Sequence, residues 1–120
     1  MVKFLAYLRT LLGLSKSFAF PSNSLISIPY TGGDVGEWKQ FFTYTPTANG
    51  YVRIQVTSKA TDAILNIYSG NFGQAVSLPW SGVGMVMTVP CTKGLIVNFS
   101  GNDLSIETIS FIPSLGSLHD

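Results

Sequence analysis

Few side chains in this chain could do chemistry, and their spacing decides what they could do. Two pairs of acids lie close in sequence, Asp34 with Glu37 and Asp103 with Glu107. Hydrolysis by paired carboxylates needs two acids held about 5 to 10 Å apart. Both pairs sit in or beside turn-forming stretches, where Asp and Asn cap their own backbone. A Ser-His-Asp relay would depend on His119, the single histidine, which nothing orients at the end of this sequence. Cys91 is the single cysteine, which excludes an intrachain disulfide and reads as a small buried or half-buried residue. One Cys, one His and no D-x-D run of acids leave no metal-ligand spacing. Gly82-Val83-Gly84 precedes a strand-like run, where a phosphate loop needs a helix. Asn98-Phe99-Ser100 matches a glycosylation sequon by chance, inside a predicted strand. The expectation is a protein that is not an enzyme and holds no cofactor and no metal.

Binding chemistry is carried by aromatic residues at predicted loops and strand ends, because a flat ring offers apolar area to a sugar face or to a protein pocket. Trp38, Tyr68, Phe72 and Trp80 are the candidates. Two readings stand for them. In one, Trp38 packs under a sheet and the others lie between subunits; in the other, they touch a receptor.

Composition bounds the partners. The chain has 120 residues, of which 46% are hydrophobic and 11% charged, against roughly 25% charged in ordinary soluble domains. A surface with so little charge is normally hidden in an assembly. Seven Lys and Arg against six Asp and Glu form no basic cluster, so counterion release cannot drive nucleic-acid binding.

The elements that must position these residues follow from periodicity. Residues 2 to 14 (VKFLAYLRTLLGL) predict an amphipathic helix, with Phe4, Leu5, Leu8, Leu11 and Leu12 on its apolar half and Lys3, Arg9 and Lys16 opposite. So wide an apolar arc must bury against the rest of the chain, other copies, a partner or a bilayer surface. Lys3 and Ser17-Phe18-Ala19 sketch a signal peptide, but Arg9 and Lys16 interrupt its apolar stretch, and Arg9 rules out a membrane span. The chain divides into this helix over 1–15, a linker over 16–23, a β-domain over 24–114 and a tail over 115–120.

Within the β-domain, Phe41-Phe42-Thr43-Tyr44 and the alternating run Tyr51 to Thr57 flank Thr45-Pro46-Thr47-Ala48-Asn49-Gly50, which predicts a hairpin with a left-handed turn residue at Asn49-Gly50. Leu25 to Tyr30 predicts a strand whose Pro29 marks an edge or an end. Ala63, Leu65 and Ile67 share the buried face of another, and Gly70 to Gly84 is the longest predicted loop. Met85 to Val89 predicts a strand ended by Pro90, and Leu95, Val97 and Phe99 share a face of the next. In the last run, Leu104 and Ile106 fall on one face and Ile109 and Phe111 on the other, which requires a β-bulge or a change of sheet near Glu107 and Thr108. Seven or eight short strands predict an all-β antiparallel sandwich preceded by the short helix.

The segments FAFPSNSLISIP, YTPTANGYVRI, VPCTKGLIVNFSG and ISFIPSLGS, in this order over residues 18 to 117, resemble the small β-sandwich proteins associated with tail fibres and tail tips of tailed bacteriophages and prophages. The family turn commonly has an acidic residue where this chain has Asn49; both tolerate a left-handed backbone. The resemblance implies a jelly roll that associates as a homotrimer in the virion, made in the host cytoplasm. It implies attachment to a phage tail or tail-fibre protein, or to a host surface glycan or outer-membrane protein, and no catalytic residues. Two further expectations compete with a structural module: a receptor-binding adhesin tip, and a secreted lectin-like or membrane-surface protein in which the first 19 residues are removed or lie in the interface.

Overall fold

The computed structural model describes residues 24–114; the predicted helix with Phe4, Leu5, Leu8, Leu11 and Leu12, the linker over 16–23 and the tail over 115–120 lie outside the described residues. Eight strands follow one another: β1 (Ile26–Ser27), β2 (Lys39–Tyr44), β3 (Gly50–Ser58), β4 (Ala63–Ser69), β5 (Phe72–Leu78), β6 (Gly84–Cys91), β7 (Val97–Asn102) and β8 (Leu104–Pro113). They form two antiparallel four-stranded sheets, ordered β1-β8-β3-β6 and β2-β7-β4-β5. Among these connections only β4 to β5 stays within a sheet between neighbours; every other one crosses from sheet to sheet.

Alternation explains the centre. Along β3, Val52, Ile54 and Val56 are fully buried while Tyr51, Arg53, Gln55 and Thr57 are half-buried on the outer face. The strand is paired on both sides, to β6 and to β8. Ala63, Leu65 and Ile67 of β4 and Val97 and Phe99 of β7 meet it from the opposite sheet and complete the core with Leu104, Ile109 and Phe111. β2 closes one flank with aromatic rings. A register shift between Gln40 and Phe42 leaves Phe41 as an extra residue, and both Phe41 and Phe42 turn toward Phe99, with ring centroids at 6.3 and 5.6 Å. Tyr30 stands edge-on to Phe42 at 5.6 Å, and Tyr44 packs on Phe111 at 5.9 Å.

The bulge near Glu107 is present: Gln55 faces Thr108 and Val56 faces Ile106, so Glu107 is the unpaired residue that switches the buried face of β8. Other expectations are corrected. Phe41 to Val56 is not a hairpin, because β2 pairs with β7 while β3 pairs with β6 and β8 in the other sheet. The linking stretch spends its hydrogen bonds elsewhere: the Pro46 carbonyl accepts from Gly94 N–H at 2.9 Å, the Asn49 carbonyl from Ser114 N–H at 3.0 Å, and Asn49 Oδ1 from Lys93 N–H at 2.9 Å. Neither Asn49 nor Gly50 takes a positive φ. Gly50 is required by space, since a Cβ there would collide with the Ile112 carbonyl and come within 2.9 Å of Pro113 Cα.

Gly70 to Gly84 is not one long loop. Gly70, at φ 58°, takes the first position of a two-residue turn, and Phe72 to Leu78 returns as β5 beside β4. Pro90 lies inside β6, where an edge position spares it a lost ladder bond. Leu95, finally, precedes β7 and is exposed, while Val97 and Phe99 are buried.

Candidate functional site

The strand pairing divides the loops between two ends of the sandwich. One end gathers the β1–β2, β3–β4, β5–β6 and β7–β8 connections. Here Val35 pairs with Leu104 across an isolated bridge, Asp103 N–H donates to the Gly36 carbonyl at 2.8 Å, and Lys59 N–H donates to the Asp103 carbonyl at 2.8 Å. Ser58, 2% exposed, ties the β5–β6 loop down: its Oγ donates to the Trp80 carbonyl and accepts from Val83 N–H at 2.9 Å, while its own carbonyl takes Gly82 N–H at 2.7 Å. A continuous backbone network therefore runs from Trp80 through Ser58, Lys59, Asp103 and Gly36 to within two residues of Trp38.

The two indoles are the large exposed groups of this end. Trp38 is 54% and Trp80 70% exposed, which corrects the expectation that Trp38 packs under a sheet. Around them stand six of the nine charged residues found among the described ones: Asp34, Glu37, Asp62 and Asp103 against Lys39 and Lys59. The acids do not pair with each other. Asp34 forms a salt bridge with Lys59, and the Lys59 hydrogen bond holds its carboxyl below the ordinary aspartate range, assisted by the Lys59 charge and by Ser105. Asp62 and Asp103 hold left-handed turn conformations at φ 60° and 55°. Glu107 accepts from the Thr57 hydroxyl.

The opposite end gathers the remaining three connections and both ends of the described chain. Ile26 pairs with Phe111 and Gly50 with Pro113, so Ser24 and Ser114 leave the sandwich side by side with Asn49. A cleft of about 390 Å³ opens here, lined by Gly50, Ser69, Phe72, Cys91, Thr92 and Leu95 among others. Its lining is mixed: Phe72 and Leu95, exposed by 47 and 41%, stand beside the polar residues Asn49, Ser69, Thr92 and Ser114. Burial pushes the Cys91 thiol up to about 11, so at neutral pH it is a protonated wall group and no nucleophile. Among the described residues Lys93 is the only charged side chain on the loops of this end. The cleft offers apolar contact area beside hydroxyl and amide groups.

The four sequence-predicted aromatics are thus not one site. Trp38 and Trp80 share the four-loop end. Phe72 starts β5 at the other end, separated from Trp80 by the length of that strand, roughly 25 Å at about 3.4 Å per residue. Tyr68, 38% exposed, lies near Phe72, with Asn98 and Gly73 as its strand partners. Sequence reasoning missed Ser58, whose buried hydroxyl positions the Trp80 loop, and the cleft, whose lining comes from four separate segments. No local signal marks either. Among the described residues no group of three or more His, Cys, Asp or Glu comes together to hold a metal, and no helix is long and apolar enough to cross a membrane. Compared with known proteins, the chain matches no family model and no curated protein sequence.

Proposed function

We propose that this protein is a structural attachment module of a bacteriophage tail, a jelly roll that works as a homotrimer in the virion. The observation that carries the reading is the polarity of the domain: both ends of the described chain leave beside the cleft, and the opposite end projects two exposed tryptophans on four cross-linked loops. Such a domain is tethered at one end and presents the other. The strand order β1-β8-β3-β6 and β2-β7-β4-β5 is that of two interleaved Greek keys, the jelly-roll arrangement used in viral shells and lectins. The segments that resemble tail-fibre proteins add the setting. Tethering falls to the segment with Leu8, for which the sequence predicts a helix, and to a tail or tail-fibre partner. Immunogold labelling of phage particles from producing cells tests this: label on the tail is expected, and particles without label would overturn it.

A second reading, the receptor-binding tip, is favoured by the indoles themselves. Two exposed rings at the end that also carries Asp34, Glu37, Asp62 and Asp103 supply stacking area and hydrogen-bond acceptors, which suits the apolar face and hydroxyls of a surface glycan. Binding of the purified protein to whole host cells and to a glycan array tests it. Absence of signal in both sinks the tip and leaves the tail module standing.

A further inference from the structure

From Ala63 to Thr92 the chain runs for thirty residues without a charged side chain. The fold turns this stretch into β4, β5 and β6, and it makes β5 the edge of one sheet and β6 the edge of the other, stacked on the same side of the sandwich. Natural sheet edges are protected by Lys, by Pro, by bulges or by being very short. The opposite side follows that rule: β1 has two residues, and β2 carries a bulge and Lys39. The β5 edge departs from it, whereas β6 carries Pro90 near its end. β5 is a seven-residue strand with no charge, no proline and no bulge, and its register with β4 is unbroken from Ala63–Leu78 to Ser69–Phe72. Residues Phe72 to Ala75 and Ser77 are all exposed, as is Val86 of β6.

We propose that the β5–β6 side is the surface on which copies of this chain pack together. An open strand edge needs an extended backbone to satisfy its donors and acceptors. A second copy supplies one of equal length with no charge to repel it. A heterologous partner would ordinarily be selected by charge complementarity, and this surface has none to offer. Strands of seven or eight residues give a strip about 25 Å long, and two sheets about 10 Å apart with their outer side chains give a width of about 20 Å, a footprint of about 500 Å² per copy and about 1,000 Å² in total, the lower bound for a specific interface. Phe72, in the cleft mouth, and Tyr68 then belong to the contact between copies, whereas Trp38 stays clear of it. This inference rests on the self-association proposed for the tail module and not on the phage setting.

The test is the mass of the purified protein in solution, by light scattering at micromolar concentration, for the parent and for Ala75→Lys, Val86→Lys and the control Thr43→Lys. Both edge positions are exposed, so the variants are expected to keep the parent's β spectrum and melting behaviour. The expected result is an oligomeric parent and control, with each edge lysine weakening association at least tenfold. As a second measurement, Ala75→Cys is expected to crosslink between copies through a short bis-maleimide, the buried Cys91 staying unlabelled. A monomeric parent overturns the inference and the self-association together, leaving tail labelling to decide the particle reading. Edge variants that keep the parent's mass, with no crosslink through position 75, overturn this surface alone. The same holds if the β5 amides stay equally protected from exchange when dilution dissociates the copies, since the chain's own segments then cover the edge.

Discussion

The two ends of the sandwich are built from the same strands and are opposites in chemistry. At the four-loop end charges, left-handed aspartates and a buried serine hold the connections to one another, and two indoles stand outside that frame. At the other end the described loops carry a single charge; hydrogen bonds to Pro46 and Asn49 join them, and close packing adds to the hold, since Gly50 lets β8 pass where any side chain would collide, and Phe72, Leu95 and Cys91 line a cleft. Polar cross-links make a rigid surface that can meet water and a hydroxylated ligand. On the proposed function, the four-loop end presents and the end from which the described chain leaves is tethered.

The largest loss is expected at Gly50. Gly50→Val forces a side chain into the Ile112 carbonyl and Phe111, and a loss on the order of 4 kcal/mol or more is expected in chemical denaturation, enough to abolish folding. If the variant folds with parent-like stability, the terminus end is not held by shape.

Ser58→Ala comes next. Removing the hydroxyl strands the Val83 N–H and the Trp80 carbonyl, with an expected cost of about 1–3 kcal/mol. The Trp80 loop should loosen with it, read as faster exchange of the Val83 amide, while Leu95 and the cleft are unchanged.

Trp38→Ala and Trp80→Ala probe the four-loop end. Because both rings are exposed, stability should move by no more than about 0.5 kcal/mol, whereas a hot spot in a receptor contact is worth about 2 kcal/mol or more in cell binding. Phe72→Ala should leave cell binding intact. Equal loss of binding at both ends would dissolve the distinction between them.

The smallest effect belongs to Asp34→Asn. The Asp34 carboxyl is lowered in the folded protein, so its contribution is fully present above the unfolded aspartate range and is lost as acidification takes the folded group through its own lower range. Both partners are about half exposed, so the melting difference from the parent should be close to the resolution of a thermal melt near neutral pH, should shrink with salt, and should vanish in strong acid.

Much of the fold is legible in the order of residues alone. Alternation locates β3, β4 and the buried faces of β7, and the clash of two periods in Leu104 to Ile112 locates the bulge at Glu107, because side-chain direction along a strand is a local property of two-residue period. Low charge and exposed aromatics are visible as composition, and they point to assembly and binding surfaces. Which strands pair is not visible. Phe41 to Val56 has the pattern of a hairpin, yet the backbone groups of Pro46 and Asn49 are satisfied by Gly94 and Ser114, residues tens of positions away, and only the closed sandwich brings those partners near. The same holds for function: the order of residues puts Trp38, Tyr68, Phe72 and Trp80 in one class, and the crossing of strands between sheets sends them to two ends. A thirty-residue stretch without charge is legible in the sequence, but that β5 and β6 form both edges of one side is a consequence of pairing, which depends on distant contacts competing for the same backbone.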